Sequence, residues 1–226
     1  IALEDLAYIV LDAPHASLTV PALSACAESG CLIVTTEDRH MPNGLLLPYS
    51  GHHRQTEVLY RQIAMTLPAR KRLWQAVVRA KILNQARCLT YSGDQSRVRT
   101  LEKMARSVKS GDMDNMESQA ARRYWPALFR DFRRDPDGCD RWNALLNYGY
   151  AILRGFVARQ LACAGFAPAL GIHHRSMQNP FNLADDLMEP LRPLVDILAA
   201  SRLAAAPQGN ELGKQDRAFM LSMPQE

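Results

Sequence analysis

Residues 171–193 read GIHHRSMQNPFNLADDLMEPLRP and hold two of the chain's six histidines beside three acids. On a helix, Glu189 lies next to both Asp185 (i, i+4) and Asp186 (i, i+3). Carboxylates this close repel unless a positive charge sits between them. A divalent cation satisfies that need, and so does Arg192 one turn further on. Imidazole combined with carboxylates suits Mn²⁺ and tolerates Mg²⁺, whereas cysteine would suit zinc. His173 and His174 lie just upstream, in a loop behind Gly171. The acidic face of an ordinary surface helix accounts for the same spacing, and a lone His–His pair is more often incidental than a ligand; His52-His53 is read as such a pair. A further acid, Glu117, opens the segment ESQAARRYWPALF, where the positive end of a helix favours it on structural grounds alone.

The elements that must position these residues are mostly helices. From Leu183 onward Leu183, Leu187, Leu191, Leu194, Val195 and Leu198 follow a helical period over an arc of about 120°, which predicts a core-facing stripe with the acids on the opposite side. Asn182 is the expected N-cap. Pro190 and Pro193 remove the backbone donors for the Asp186 and Glu189 carbonyls, so the helix should kink where the acids lie. Glu117 heads a helix with Ala120, Ala121, Tyr124 and Leu128 on its apolar side. In LWQAVVRAKILNQA the expected apolar arc is Leu73, Val77, Ala80, Ile82 and Leu83. Helices are expected over residues 53–66, 69–90, 97–109, 113–133, 140–165 and 182–203, with turns at SGD (92–94) and SGDMDN (110–115) and a loop at RRDPDGCD (133–140). The first fifty residues read strand–helix–strand: LAYIVL (6–11), VPALSACAES (20–29) capped by Gly30, and CLIVTT (31–36), followed by a turn at MPNG (41–44). The closing MPQE suggests no final element.

The fold class is therefore α+β: a small β-rich remnant over residues 1–50 and a larger all-α domain over residues 51–226. With 226 residues and 47% hydrophobic composition the chain can bury a substantial core. No apolar run approaches the roughly 20 residues of a membrane span. Five cysteines without CxxC spacing point to reduced thiols in a cytoplasm rather than disulfides or zinc. Net charge is +4, yet residues 54–109 carry thirteen Lys or Arg against three acids, leaving the remainder negative. Such a basic helical segment can follow a phosphate backbone, or be a solvated face balanced by acids elsewhere.

NMESQAARRYWPALF, NALLNYGYAILR and APALGIHHRSMQNPFNLADDLMEPLRP, in that order, resemble the CRISPR-associated integrase of spacer acquisition, in the variant of type II systems. IALEDLAYIVLD, DRHMPNGLLLP and RAKILNQA are similar to the same family. The resemblance implies an N-terminal β domain, a C-terminal all-α catalytic domain and a homodimer in a prokaryotic cytoplasm; against that pattern the chain lacks early strands and the last helices. Carried over by motif, the resemblance makes Glu117, His174 and Glu189 the catalytic ligands of Mg²⁺ or Mn²⁺. His174 is chosen over His173 because it ends a G-x-x-H turn, and Glu189 stands where many relatives have Asp. Asp186 resembles an accessory acid, and Lys81, Arg175 and Arg192 are the expected DNA contacts. The implied reaction is 3′-hydroxyl transesterification into a CRISPR repeat, with a small ferredoxin-like protein as partner. A metal-dependent nuclease of DNA repair and a non-catalytic DNA-binding scaffold are the alternatives.

Overall fold

The computed structural model describes residues 2–13, 15–38, 40–49, 52–91, 93–129, 132–138, 140–206 and 211–222. Ile1, Arg39, Ser92, Arg130, Asp131, Cys139 and the closing MPQE, all used above, lie outside them. The chain is α+β and forms two compact units, each discontinuous in sequence: residues 1–65 with 151–185, and residues 66–150 with 186–226.

The first unit carries the sheet, β1 (Tyr8–Leu11), β2 (Leu32–Thr36) and β3 (Pro42–Leu46), in the order β1-β2-β3. β1 and β2 are parallel and β2 and β3 antiparallel. A parallel pair needs a crossover, which α1 (Val20–Glu28) supplies. Thr19 caps α1 through its side chain, and Gly30 takes the positive φ that ends it. Cys26, Cys31 and Ile33 form a small core with Leu23 and Ile9. The MPNG turn is corrected: Pro42, Asn43 and Gly44 lie in β3, and the chain reverses earlier, where His40 takes φ 63°. Gly44 is required there, because a Cβ would stand 2.4 Å from Thr35 Oγ1.

Helix α2 (Gln55–Ile63) and the second half of α6 (Arg141–Cys163) complete this unit. Gly155 lets α6 approach Leu32 and Leu45, and Phe156 meets Tyr8 edge-on. From α2, buried Gln62 accepts from Ala167 N–H at 2.8 Å and donates to the Ala167 and Leu170 carbonyls.

The second unit is built around α3 (Leu67–Thr90), which packs on α4 (Gln95–Ser107), α5 (Met116–Leu128) and α8 (Arg192–Ala205). The buried face of α3 is Trp74, Val77, Val78, Lys81, Ile82, Gln85, Ala86 and Leu89, whereas Leu73 and Leu83 are exposed. The expected arc is thus rotated by about one residue, since two polar side chains belong to the core face and an apolar count passes over them. A final helix, α9 (Lys214–Leu221), corrects the expectation that the C-terminus holds no element. It docks through Asp216, only 3% exposed, which accepts from Arg141 at 3.0 and 3.1 Å and from Arg202 Nε at 2.7 Å.

Burial raises the Asp216 pKa, but the guanidinium and Gly213 amide hydrogen bonds outweigh it and bring it down to about 2. A carboxyl depressed in the folded state stabilises above its unfolded pKa, and that stability is lost as pH falls through the folded value. Asp216→Asn is expected to cost about 3–5 kcal/mol at pH 7, the penalty for breaking a buried pair, with the deficit shrinking between about pH 4 and 2. Chemical denaturation at several pH values measures this; an unchanged midpoint at pH 7 would show that α9 is held otherwise.

Candidate active site

The acidic stretch lies where the chain passes from α7 (Asn182–Met188) through a 3-10 turn (Glu189–Leu191) into α8. The break falls at Glu189, as Pro190 and Pro193 require. The expected stripe holds only in part: Leu183 and Val195 are buried, but the acids share the interior with them. Asp185, Asp186, Glu189 and Asp196 are buried, with Asp186 at 0% exposure, while Leu187, Leu191 and Leu194 are exposed. With the helix broken, one continuous 100° wheel no longer describes residues 183–198, and the paired acids occupy the interior. Asn182 is corrected as well. It lies within α7 rather than capping it, its Oδ1 accepts from Ser176 N–H, and its Nδ2 donates to the carbonyls of Ala169, Ser176 and Asn179.

In the first unit, Gln62 and Asn182 together pin the segment 167–182 that carries His173, His174 and Arg175. His174 is partly buried, His173 and Arg175 are exposed, and the two imidazoles meet edge-on at 5.6 Å. Asp185 is held by Arg154 Nε at 2.6 Å and Asn179 Nδ2 at 2.7 Å.

In the second unit, Lys81, Glu117 and Glu189 converge. Asp112 accepts from the Met116 and Glu117 amides at 2.8 and 3.1 Å, fixing the start of α5 and with it Glu117. Asn84 and Cys88, one turn apart on α3, donate to the Pro190 and Pro193 carbonyls, tying the kinked segment to α3. Lys81 Nζ then lies 2.5 Å from Glu117 Oε1 and 2.5 Å from Glu189 Oε2. The first contact is a hydrogen bond; the second is an ion pair outside hydrogen-bond geometry, so buried Glu189 Oε2 has charge compensation but no hydrogen-bond donor. Burial works against the Lys81 ammonium, but attraction to Glu189 and then Glu117 outweighs it and raises its pKa above the usual lysine value. Arg192 Nε stands 3.4 Å from Glu189 Oε1.

Lys81, Glu117 and Arg192 line a cavity of about 180 Å³. Two carboxylates carrying one oxygen without a donor are hard ligands of the kind Mg²⁺ and Mn²⁺ take, so the donor set fits such an ion. Among the described residues no three His, Cys, Asp or Glu side chains gather as a metal-holding group; the two glutamates converge on an ammonium instead.

The cavity also exposes residues that the sequence reading passed over: Gln85, Arg134, Tyr150 and Asp196. Buried Asp196 accepts from Tyr124 Oη at 2.9 Å and from Tyr150 Oη. A signal existed in NALLNYGY, where Asn143, Asn147 and Tyr150 fall on one face of α6. Along α3 and α4 the basic residues Lys71, Arg72, Arg79, Arg99, Lys103 and Arg106 are exposed.

The chain belongs to the CRISPR-associated protein Cas1 family, whose model matches residues 1–216. It is 46% identical over 196 residues to a CRISPR-associated endonuclease Cas1 of Neisseria meningitidis serogroup C (strain 8013). That alignment covers 86% of this chain and 64% of the relative, so the chain spans less than two thirds of that protein's length. Its fold is similar to a casposase solved bound to integration product, with a TM-score of 0.79 at 19% identity, covering 97% of this chain and 69% of the other. It is also similar to a chain of a partial Cas6-RT-Cas1–Cas2 complex, with a TM-score of 0.67 at 21% identity, covering 100% and 78%. At these identities the structural likeness establishes the fold.

Burial lifts the Asp196 pKa to about 6, although the Tyr150 and Tyr124 hydroxyls pull it down. A carboxyl raised in the folded state favours folding fully below about pH 4, and that contribution is lost as pH rises through about 6. Tyr124→Phe removes a donor to the charged form. Its stability cost should be about 1.5–3 kcal/mol at pH 8 and clearly smaller at pH 5, read from denaturation midpoints. An equal cost at both pH values would mean that Asp196 does not titrate in this range.

Proposed function

We propose that this chain carries the catalytic centre of a metal-dependent DNA integrase and endonuclease that inserts new spacer DNA into a CRISPR repeat. The observation that carries the reading is the convergence of Glu117 and Glu189 on one cation, Lys81, at a cavity whose rim includes Arg192. Family membership supports the CRISPR setting, and the exposed basic residues of α3 and α4 support a nucleic-acid partner.

In the reaction a DNA 3′-hydroxyl oxygen forms a bond to a repeat phosphorus, the phosphorus–oxygen bond of the repeat strand breaks, and the leaving 3′-oxygen takes a proton. With water as nucleophile the same chemistry cuts DNA. Glu117, Glu189 and His174 would hold Mg²⁺ or Mn²⁺, which supplies polarisation of the phosphoryl oxygen and stabilisation of the charge that develops on it. Asp186 supports this set as an accessory acid. Lys81 pairs with both glutamates, and with Arg192 and Arg175 it offers cations to the phosphates. No side chain of this set need act as a nucleophile, since the hydroxyl comes from DNA. The assembly is a homodimer working in a prokaryotic cytoplasm with the small ferredoxin-like adaptation protein. A solved relative of this fold stands in a Cas1–Cas2 complex, which supports such a partner.

The test is strand transfer of a short duplex with free 3′-hydroxyls into a supercoiled plasmid carrying a CRISPR repeat, using the full-length chain with its small partner. Joining should require Mg²⁺ or Mn²⁺, stop in EDTA, survive His173→Ala, and fall at least about 100-fold in Glu117→Ala and His174→Ala. Joining that proceeds without a free 3′-hydroxyl would favour a repair nuclease. DNA binding without joining in any metal would leave the scaffold reading.

A further inference from the structure

Arg134 lies in the loop between α5 and α6, outside the acidic and histidine motifs. Trp125, Phe129, Phe132 and Trp142 pack as an aromatic cluster that anchors this loop. Three hydrogen bonds fix the guanidinium: Nη1 donates to Asn143 Oδ1 at 2.9 Å and to the Asp135 carbonyl at 2.5 Å, and Nη2 donates to Asn147 Oδ1 at 2.5 Å. All three acceptors are neutral. Among the described residues no carboxylate lies within ion-pair distance of Arg134, whereas Lys81 and Arg192 at the same cavity both pair with glutamates.

The arrangement sets two cations close together. Arg134 and Arg192 both lie over the Tyr150 ring, 5.5 and 4.8 Å from its centroid. Burial lowers the Arg134 pKa and repulsion from Arg192 adds to that, while attraction to Tyr150, Asp196 and Asp135 offsets part of it. Two rigid guanidiniums on one aromatic shelf, one of them without a direct ion pair among the described residues and both lining the cavity that Glu117 enters, match the fork geometry that arginine offers to phosphate oxygens.

We propose that Arg134 is a phosphate-binding residue, which with Arg192 seats one backbone phosphodiester of a DNA strand entering the cavity beside Glu117. The inference rests on the DNA-acting reading above and adds a residue and a subsite to it. Asn143 and Asn147 are the positioning residues: as neutral acceptors they orient the guanidinium and leave its charge for the ligand.

The test measures binding of a short fluorescein-labelled duplex with single-stranded 3′ ends by anisotropy. EDTA is present throughout, so that no step depends on a metal. Wild type is compared with Arg134→Gln and with Asn147→Asp, which keeps the shape of the amide but sets a carboxylate against Arg134. Both variants should bind about 10-fold more weakly, and the slope of log affinity against log salt should fall by about 1. Asn147→Asp should do so with its thermal midpoint maintained, because the new ion pair offsets the lost bond to the Pro136 carbonyl; an arginine of purely structural role would be helped by that change. Neutral methylphosphonates, placed singly along the 3′ end, should include one position that costs wild type about 10-fold and Arg134→Gln nothing. The subsite is overturned if both variants bind like wild type, or if every methylphosphonate costs wild type and Arg134→Gln equally. Failure of wild type to bind DNA at all would overturn the DNA-acting reading itself.

Discussion

Two glutamates facing one buried ammonium set the terms for the second unit. Removing ions from water costs several kcal/mol each, and the cost is met only when opposite charges and hydrogen bonds are placed closely. Lys81 must therefore point inward from α3, Asp112 must fix the start of α5 so that Glu117 reaches it, and the chain must break at Glu189 so that a second carboxylate arrives from another direction. Asn84 and Cys88 of α3 hold the broken segment in place through the Pro190 and Pro193 carbonyls. One electrostatic requirement thus accounts for the polar residues on the core face of α3, the capping aspartate, and the two prolines.

The same requirement explains what was legible in the sequence. Strands β1 and β2, helix α1, and helices α2 to α6 are readable because their apolar residues recur with the period of the element and their ends carry Gly, Pro or capping residues. The kink at Glu189 was readable because proline lacks an amide donor whatever its surroundings. The faces of α3 and of residues 183–198 were misread for one reason: periodicity counts apolar residues, and here Lys81, Gln85, Asp186, Glu189 and Asp196 take core positions while Leu83, Leu187, Leu191 and Leu194 face outward. A polar residue in the interior cannot be recognised until its partner is known, and the partners lie far apart in sequence. Glu117 is 36 positions from Lys81, and Asp196 is 72 from Tyr124. Helix α9 escaped because its docking depends on Asp216 meeting Arg141 and Arg202, and an eight-residue helix offers little periodicity.

The neighbouring network extends the principle from charge pairs to hydroxyls and π faces. Asp196 takes two tyrosine hydroxyls, which fixes Tyr150, whose ring then carries Arg192 and Arg134. Order is passed outward in this way from a buried carboxyl to the cations that face the cavity. Such support suits a site that must hold charged groups still while charge moves on a substrate.

The most direct measurement is a titration of Mn²⁺ into the wild-type chain and Glu189→Gln, followed by loss of the free-ion electron paramagnetic resonance signal. The account predicts saturable binding to wild type and at least about 10-fold weaker binding to Glu189→Gln, because an amide oxygen is a poorer ligand for a hard cation. Binding of equal strength in both proteins, or none in either, would contradict the claim that the Glu117–Glu189 convergence is a metal site.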